Sequence, residues 1–474
     1  MYINGEWIKS NNKLEVRNPL DQSIVGEVDL VGSKETEKAI LAASEAFPKW
    51  AELTGDQRSE YLQKVVQLLN EKKEYLAETI TKEMGKAIVN ARAEVDSTIA
   101  YFKWFAEEAR RVNGEIIPAS SSSKRISVIK QPVGVVAAIT PWNFPLSMGA
   151  RKLGPALAVG CTAILRPSRE APLSSLELFK IFDEVGFPKG VVNLVNGSSD
   201  EIVGTLMDSK KVRKISFTGS TNVGKILIRQ SADTIKRVSM ELGGHAPFIV
   251  FDDADIDLAV DGAIKSKFSS AGQQCVCANR IYVQESIYEE FATKFTEKCK
   301  QLIVGNGLDE NTNIGPLVNE DAVKKVAAQV EDALSKGATL LCGSETLEGS
   351  LYENGSFYPP TVLGNVTEDM IITYEETFGP IAPLIKFTTE EEVIQKANDI
   401  EFGLASYFYT NDLTRSHRVA EQLEYGMVGV NDPYPFVVQA PFGGVKESGL
   451  GREGSNHGID DYLDYKTISY QLKA

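Results

Sequence analysis

The chain is poor in the two residue types that most often build metal centres and disulfide frameworks. It contains five cysteines and three histidines among 474 residues. A disulfide framework is therefore not expected, and we predict a reducing, cytoplasmic environment. The histidines, His245, His417 and His457, are widely scattered, which argues against a histidine-based metal site. We expect no bound metal.

Long hydrophobic runs are also absent. The first residues, MYINGEWIKS, contain no apolar core of the length that a signal peptide needs, and runs such as VGVVAAI (133–139) are too short to span a membrane. Basic residues are in deficit, 50 against 65 acidic residues, which gives a net charge of −15. This balance excludes an extended phosphate-binding surface, so neither nucleic acid nor a membrane is an expected partner. A local basic pocket for a cofactor phosphate is compatible with it.

The order of sequence patterns predicts more than one lobe, since 474 residues exceed one ordinary hydrophobic core. From about residue 33 to 113, apolar residues recur every three or four positions, which predicts helices. A Ser-rich stretch at 118–127 indicates a loop or an excursion from the domain. Four β-rich runs then alternate with helical stretches up to about Gly219, and a second such series begins after Gly244. The pattern predicts two α/β lobes with a mainly parallel, doubly wound sheet.

The segment RKISFTGSTNVGK comes close to a phosphate-binding P-loop. Four residues separate Gly219 from Gly224, and Lys225 follows, but the next residue is Ile226 where a P-loop needs a magnesium-binding hydroxyl. A P-loop phosphotransferase is therefore a poor interpretation. A Gly/Ser turn between a strand and a helix can still hold a phosphate on its backbone N–H groups. The alternative, a turn without a ligand, stays open.

Two polar side chains stand in otherwise apolar segments. Glu241 lies in SMELGGHAP, where a carboxylate is either exposed or has a raised pKa suited to general-base work. Asn143 lies in TPWNFP, at the carboxyl end of a predicted strand, where α/β sheets bind ligands. Its side-chain amide is a candidate oxyanion donor. For both residues a purely structural role stays open.

Cys275 and Cys277 stand two positions apart in SSAGQQCVCANR. A metal clip lacks two further ligands at a familiar spacing, and a disulfide across one residue would be strained. A buried structural role suits Cys277, since free cysteines are often buried. Cys275 follows a Gly-Gln-Gln run whose small, polar character suits an accessible nucleophile, which would also need a base and an oxyanion donor.

The strings FTGS, ELGG, GQ-x-C, EETFGP and PFGG-x-K-x-SG-x-GRE occur together in this order. In this combination the chain resembles the aldehyde dehydrogenase superfamily almost end to end. GQQCVCANRIYVQ, MELGGHAPFIVFDDADIDLAV and SGLGREGSNHGIDDYL are most similar to its succinate-semialdehyde dehydrogenase branch. The resemblance implies NAD(P)-dependent oxidation of an aldehyde to the carboxylic acid.

The resemblance assigns catalytic roles to the residues that match. Cys275 corresponds to the nucleophile that forms a thiohemiacetal and, after hydride transfer to the nicotinamide, a thioester. Asn143 and the backbone N–H of Cys275 correspond to the groups that hold the oxyanion. Glu241 corresponds to the base that activates water, so hydrolysis is favoured over transfer to coenzyme A. Lys152 and Glu453 match positions linked to proton relay.

Two further expectations concern the same segments. Cys277 matches a second cysteine of the branch, which in some members forms a reversible disulfide with the nucleophile, so redox inactivation is one hypothesis. A non-catalytic structural relative would be expected to have lost Cys275 or Glu241, and this chain has lost neither.

The cofactor-binding positions implied by the resemblance are Thr140, Pro141, Trp142, Arg166, Ser168, Arg169, Gly219, Ser220, Gly224, Leu242, Glu376 and Phe378. The superfamily usually has Lys-Pro-x-Glu or Lys-Pro-x-Ser where this chain has Arg166-Pro167-Ser168-Arg169. Two guanidinium groups suit a 2′-phosphate better than a ribose diol, so NADP is slightly favoured over NAD. Glu170 is the alternative ligand for the ribose.

The substrate-binding positions depart from the branch. Its members hold a remote carboxylate with two arginines and a serine. Arg151 matches the first arginine, but Ser269 occupies the position of the second, and Phe436 lies where the serine of the late loop is expected. We expect Arg151, Ser269, Phe436 and Phe442 to line the substrate site. Succinic semialdehyde and an uncharged aliphatic or aromatic aldehyde both stay open as substrates.

The fold implied by the resemblance has three parts. A Rossmann-like dinucleotide-binding lobe covers residues 1–113 and 132–244, and a catalytic lobe covers 245–454. A small β oligomerisation flap combines 114–131 with 455–474. The last residues indicate a strand that pairs across subunits, so a homodimer or homotetramer is expected.

Overall fold

The structure is a computed structural model and describes residues 1–344 and 347–473. Within these residues the helices are α1 (Ser33–Glu52), α2 (Gly55–Glu71), α3 (Lys73–Met84), α4 (Ile88–Glu108), α5 (Ser147–Val159), α6 (Leu173–Val185), α7 (Ser199–Asp208), α8 (Thr221–Ser231), α9 (Ile256–Phe268), α10 (Tyr288–Cys299), α11 (Glu320–Ser335), α12 (Glu390–Asn398) and α13 (Leu413–Gln422). The strands of the same residues are β1 (Tyr2–Ile3), β2 (Glu6–Trp7), β3 (Lys13–Arg17), β4 (Ile24–Asp29), β5 (Glu115–Ile117), β6 (Lys124–Pro132), β7 (Val135–Ile139), β8 (Thr162–Arg166), β9 (Val192–Leu194), β10 (Val212–Thr218), β11 (Arg237–Glu241), β12 (Ala246–Val250), β13 (Ala278–Gln284), β14 (Thr339–Cys342), β15 (Thr361–Gly364), β16 (Ile381–Phe387), β17 (Ala405–Tyr409), β18 (Met427–Val430), β19 (Gly449–Leu450) and β20 (Leu463–Gln471).

The first sheet has the strand order β19-β11-β10-β7-β8-β9-β1-β2. Its five central strands are parallel and lie side by side in the order β11-β10-β7-β8-β9. Strand β7 is buried along its whole length, as expected for a strand covered on both faces of the sheet. Among the parallel strands, the chain forms β7 first, then β8 and β9 on one side of it, and then β10 on its other side. This reversal makes the carboxyl ends of β7 and β10 the switch point where open α/β sheets bind ligands. The predicted doubly wound α/β fold is confirmed.

The second sheet has the order β14-β15-β16-β13-β12-β17-β18 and is parallel except at β14. Strands β15 and β17 lie in short runs that the sequence pattern did not single out. The chain passes from the first sheet to the second between Glu241 and Ala246. Each sheet has its own hydrophobic cluster, and the cluster of the first also includes Ile459, Tyr462 and Leu463. The exact lobe boundaries stay a prediction.

A third, three-stranded sheet has the order β20-β6-β5. Strand β20 pairs antiparallel with β6 from Leu463 opposite Pro132 to Gln471 opposite Lys124. This long pairing explains why β6 begins inside the Ser-rich stretch that the sequence indicated as a loop. Strand β20 stands at an edge of the sheet, and its pairing across subunits stays a prediction. In the part of the chain described, no helix combines the length and the apolar character needed to cross a membrane.

A buried ion pair supports the loop that follows β7. The Nζ atom of Lys86 lies 2.5 Å from Oε2 of Glu94, and both side chains are fully buried. Oε1 of Glu94 accepts hydrogen bonds from the backbone N–H groups of Leu146 (2.9 Å) and Ser147 (3.2 Å), at the N-terminus of α5. Lys86 Nζ also donates to the carbonyl oxygen of Asn143 at 2.8 Å. The pair therefore satisfies N–H groups that a helix start leaves free and fixes the backbone of the loop.

We expect Glu94→Gln to lower the free energy of unfolding by about 3–5 kcal/mol, because it leaves the Lys86 ammonium buried without its counter-charge. Glu78→Gln is the matched control, since Glu78 forms an exposed pair with Lys82 and such pairs contribute less than about 1 kcal/mol. Urea unfolding of both variants measures the difference. Equal urea midpoints for the two variants would contradict the expected contribution of the buried pair to stability.

Candidate active site

Two loops form the switch-point crevice of the first sheet. Residues 140–143 follow β7, and Gly219 and Ser220 follow β10. Ser220 is the N-cap of α8, and its Oγ accepts a hydrogen bond from the N–H of Val223 at 3.5 Å. The helix therefore directs its N-terminus, with its partial positive charge, towards the crevice.

A cavity of about 260 Å³ opens at this point. Two of the four predicted catalytic residues, Cys275 and Asn143, line it together with predicted cofactor positions. Its lining consists of Pro141, Trp142, Asn143, Met148, Thr218, Gly219, Ser220, Leu242, Gly243, Cys275, Ala322, Lys325, Glu376 and Phe378. Met148, Ala322 and Lys325 were not identified from the sequence, because they belong to helices without a motif of their own. Gly224 lies under this lining: a Cβ there would meet Leu242 Cδ2 at 2.4 Å.

The far side of the cavity is built from the EETFGP segment. Phe378 packs edge-to-face on Trp142, with ring centroids 5.5 Å apart, and its backbone has a left-handed φ of 54°. Such a conformation is unfavourable for a bulky residue and is typical of functional segments. Oε1 of Glu376 accepts a hydrogen bond from the N–H of Gly244 at 3.0 Å. Burial raises the pKa of Glu376 to about 7.

The nucleophile candidate follows a strained turn. Ser270 and Ala271 have left-handed φ values of 50° and 55°, and Gly272 follows with 73°. Only glycine adopts this region without cost, so the two preceding residues must be held by their surroundings. Gln273 provides part of that support, since its Oε1 accepts a hydrogen bond from the N–H of Val318 at 3.0 Å. The turn brings Cys275 to the wall of the cavity.

The segment that connects the two sheets packs against the backbone of Cys275. A Cβ at Gly244 would lie 2.2 Å from the carbonyl oxygen of Cys275, so this position requires glycine. The side chain of Cys275 is only partly exposed. Burial, followed by the nearby Glu376 carboxylate, raises the pKa of its thiol to about 12. Because the thiolate is the reactive form, this raised pKa favours the less nucleophilic thiol form of Cys275 at neutral pH.

Asn143 touches the nucleophile segment directly. Its Nδ2 donates to the carbonyl oxygen of Gln273 at 3.0 Å, and the side chain is 4% exposed. A primary amide has two N–H donors, so one remains for a ligand oxygen beside Cys275.

Glu241 lies at the end of β11, where it is 4% exposed and its Oε2 has no hydrogen-bond partner among the described residues. Burial, followed by the charge of Glu453, raises the pKa of Glu241 well above its ordinary value. Glu453 Oε1 accepts a hydrogen bond from Lys152 Nζ at 2.7 Å in a buried ion pair. The sequence-predicted residues Glu241, Lys152 and Glu453 are therefore brought into one buried charged group.

Arg151, the neighbour of Lys152 on α5, faces the same group. Its Nη1 lies 3.6 Å from Glu453 Oε2, and the guanidinium carbon stands over the rings of Tyr101 (4.7 Å) and Phe442 (4.3 Å). The side chain is 9% exposed, and its Nε and Nη1 atoms have no hydrogen-bond partner in the described part of the chain. A buried guanidinium with unused donors is suited to an anionic ligand.

The other predicted substrate positions form one aromatic wall. The rings of Phe436 and Phe442 are 5.9 Å apart, so the wall continues from Arg151 to the late loop. Ser269 contacts the residue before Cys275, because its carbonyl oxygen accepts a hydrogen bond from Gln274 Nε2 at 2.7 Å.

Arg166 is the last residue of β8, and Arg169 follows three positions later on the surface. Arg166 Nη2 donates to Ser199 Oγ at 2.5 Å, whereas its Nε is buried without a partner in residues 1–344 and 347–473. Burial, followed by the like charge of Arg169, lowers the pKa of Arg166. Neither arginine forms an ion pair within the described residues, and Arg169 lines a surface cavity together with Glu15 and Glu170. Ser168 Oγ accepts the N–H of Glu170 at 3.3 Å.

Cys277 differs from Cys275 in its surroundings. Both thiols are free, but Cys277 is fully buried and its Sγ donates to the carbonyl oxygen of Lys267 at 3.3 Å. Burial raises the pKa of its thiol. This packing agrees with the structural interpretation of Cys277, and its role as a redox partner stays a prediction.

Comparisons with known proteins identify the family to which the chain is similar. The profile of the Aldehyde dehydrogenase family matches residues 7–468. Glutarate-semialdehyde dehydrogenase of Pseudomonas putida is 50% identical over 469 residues, covering 98% of this chain and 96% of that protein. The NADP(+) succinate-semialdehyde dehydrogenase GabD of Escherichia coli is 49% identical over 472 residues, covering 99% and 97%. The crystal structure of succinate-semialdehyde dehydrogenase from Burkholderia pseudomallei has a TM-score of 0.97 at 47% identity, covering 99% and 97%. The resemblance found in the sequence is confirmed.

Alkylation tests the thiol environment. We expect the rate constant for iodoacetamide at Cys275 to rise about tenfold per pH unit from about pH 7 to 10, because the raised pKa keeps the thiolate far from saturation. Glu376→Gln keeps an acceptor for the Gly244 N–H but removes the charge, so it should raise the rate at a fixed pH. Peptide mass spectrometry measures both, with Cys277→Ser as the control that leaves labelling unchanged. A plateau below about pH 9 would contradict the expected pKa.

Proposed function

The chain belongs to the aldehyde dehydrogenase family, and from this premise we propose that its substrate is an aldehyde with a remote carboxylate, such as succinic semialdehyde. Arg151 is the observation that carries the proposal, since its buried guanidinium has two nitrogen atoms without a hydrogen-bond partner among the described residues. The relatives compared above are named for semialdehydes of succinate and glutarate, which both carry such a group. One charge-assisted hydrogen bond contributes about 1.5–3 kcal/mol.

The apolar wall supports a second candidate. Phe436 and Phe442 present rings where a carboxylate-binding serine was expected, and Ser269 has no charge. An uncharged aliphatic or aromatic aldehyde would pack against these rings. The kinetic experiment below separates the two candidates.

In the proposed mechanism the Cys275 thiolate attacks the aldehyde carbon and forms a thiohemiacetal. The oxygen that becomes negative accepts hydrogen bonds from Asn143 Nδ2 and from the backbone N–H of Cys275, and fixed donors of this kind stabilise developing charge. Thiolates are strong nucleophiles and adequate leaving groups, so one residue serves both halves of the reaction. The nicotinamide cofactor, when bound, supplies the acceptor for the hydride that the thiohemiacetal carbon loses.

Glu241 completes the reaction by hydrolysis. Burial raises the pKa of Glu241 well above its ordinary value, which makes its carboxylate a stronger base towards water. The hydroxide adds to the thioester carbon, the Cys275 thiolate leaves, and the carboxylic acid is released. Glu453, held by Lys152, would relay the proton from Glu241, whose pKa its charge raises. A carboxylate base at this position makes the enzyme non-acylating.

For the cofactor we propose NADP in preference to NAD. Arg166 and Arg169 would hold its 2′-phosphate, and the Gly219–Ser220 turn at the start of α8 would hold the pyrophosphate. Trp142, Leu242, Glu376 and Phe378 line the cavity on the side towards Cys275. We further propose a cytoplasmic homodimer or homotetramer that assembles through the open edge of β20.

Substrate choice depends on the charge of Arg151. We expect the wild-type kcat/KM to be at least about tenfold higher for succinic semialdehyde than for butanal, which has the same chain length without the carboxylate. Arg151→Met should remove most of that preference, and Arg151→Lys should keep part of it. Steady-state formation of the reduced cofactor measures all three proteins, with benzaldehyde as a third substrate. A wild-type preference for butanal or benzaldehyde would overturn the proposal in favour of the second candidate.

Cofactor choice depends on Arg169. We expect Arg169→Glu to reverse the preference from NADP to NAD by at least about tenfold, because it replaces a phosphate ligand with a group that repels phosphate and binds ribose hydroxyls. Lys189→Glu, which makes the same charge change at an exposed position away from the crevice, is the control. Titration of fluorescence quenching by each cofactor measures Kd without turnover. A wild-type preference for NAD would contradict the assignment of the arginine pair.

A further inference from the structure

The nucleophile segment turns tightly at Cys275. Residues 274–277 form a β-turn, in which the carbonyl oxygen of Gln274 accepts a hydrogen bond from the N–H of Cys277 at 3.2 Å. Every peptide bond of the described residues is trans, so the C=O and N–H groups of one peptide unit point in opposite directions. Because the Gln274 carbonyl points into the turn, the N–H of Cys275 in the same peptide unit points out of it.

The N–H of Cys275 is the backbone donor that the proposed mechanism assigns to the oxyanion. It has no hydrogen-bond partner among the described residues, so it is free for a ligand oxygen. A backbone donor stabilises developing charge only if it is fixed in the right direction before the reaction. The group that holds the peptide units of this turn therefore controls the oxyanion site.

A tyrosine hydroxyl holds the other side of the turn. Tyr407 Oη donates to the carbonyl oxygen of Val276 at 2.6 Å. That carbonyl and the N–H of Cys277 belong to one peptide unit, so the hydroxyl and the Gln274 carbonyl fix this unit from its two ends. The hydrogen bonds form one series, which runs from Tyr407 through the peptide unit 276–277 to the peptide unit 274–275. Hydrogen bonds in such a series polarise and strengthen one another.

The side chain of Tyr407 is itself fixed. It lies in β17, between β12 and β18, and is fully buried. Its ring packs on Phe248 and edge-to-face on Phe436, with centroid distances of 6.0 and 6.2 Å. Burial, followed by the thiols of Cys277 and Cys275, raises the pKa of Tyr407 well above its ordinary value, so the hydroxyl stays protonated and remains a donor.

We propose that Tyr407 is a positioning residue that orients the N–H of Cys275 as an oxyanion donor. This role rests on the proposed function, in which that N–H and Asn143 hold the oxygen of the thiohemiacetal. Tyr407 does not line the cavity beside Cys275, and it acts only through the two peptide units of the turn. Its hydroxyl matters in the states in which the substrate oxygen is negative, and these are common to all aldehydes.

The test uses Tyr407→Phe, which removes the hydroxyl and keeps the ring. We expect kcat/KM to fall about three- to tenfold for both succinic semialdehyde and butanal, because a backbone oxyanion donor loses its orientation without being deleted. The rate constant for iodoacetamide at Cys275 should stay the same, since alkylation of the sulfur forms no oxyanion. A merely structural role would change both values.

Tyr409→Phe is the matched control. Tyr409 lies in the same strand and is also buried, but its hydroxyl has no hydrogen-bond partner among the described residues. The control should leave kcat/KM and the alkylation rate constant unchanged. An equal loss of kcat/KM in Tyr409→Phe would overturn the role of Tyr407, because the effect would then belong to any hydroxyl of this strand.

The remaining outcomes separate this role from the proposed function. An unchanged kcat/KM in Tyr407→Phe would overturn the role, and so would a fall that slower alkylation matches, because the thiol itself would then be displaced. A fall for only one of the two aldehydes would overturn it as well. A wild-type preference for butanal would overturn the proposed carboxylate substrate and leave the role of Tyr407 standing. Turnover by Cys275→Ala would overturn the proposed mechanism, and the role of Tyr407 with it.

Discussion

Lys86 and Glu94 form an ion pair in the core of the first lobe, and each uses its remaining hydrogen-bonding capacity on the segment that begins with Asn143. A buried pair of charges is stable only if both partners are present and their other donors and acceptors are satisfied. Here that requirement fixes the loop after β7 and the start of α5 together. The position of Asn143, and through its contact with Gln273 that of the nucleophile segment, follows from this pair.

The strain of the site is concentrated beside that fixed loop. Three consecutive left-handed residues precede Cys275, and Phe378 across the cavity has the same unfavourable backbone region. Conformations of this kind persist only where the surrounding contacts over-determine them. The glycine crossover at Gly244 supplies one such contact by permitting close approach to the Cys275 backbone. Backbone packing therefore contributes to the position of the candidate nucleophile Cys275.

The overall charge of the chain differs in sign from the charge of several of its buried side chains. The chain as a whole is acidic, with a net charge of −15. Within the described residues, buried Arg151 nevertheless has two nitrogen atoms without a hydrogen-bond partner, and Arg166 has one. Burial raises the pKa of the Glu241 and Glu376 carboxyl groups. Local cations in an acidic protein favour small anionic ligands over extended polyanions.

The sequence by itself determined the parallel α/β architecture and the Gly/Ser turn after β10, because each depends on residues close together in the chain; its preference for Cys275 over Cys277 as nucleophile stays a prediction. The Lys86–Glu94 pair could not be predicted, since both residues resemble surface charges until packing buries them. The same holds for the start of β6, which its pairing with β20 decides. Burial and pairing depend on contacts between residues far apart in sequence, and only the tertiary structure brings those residues together.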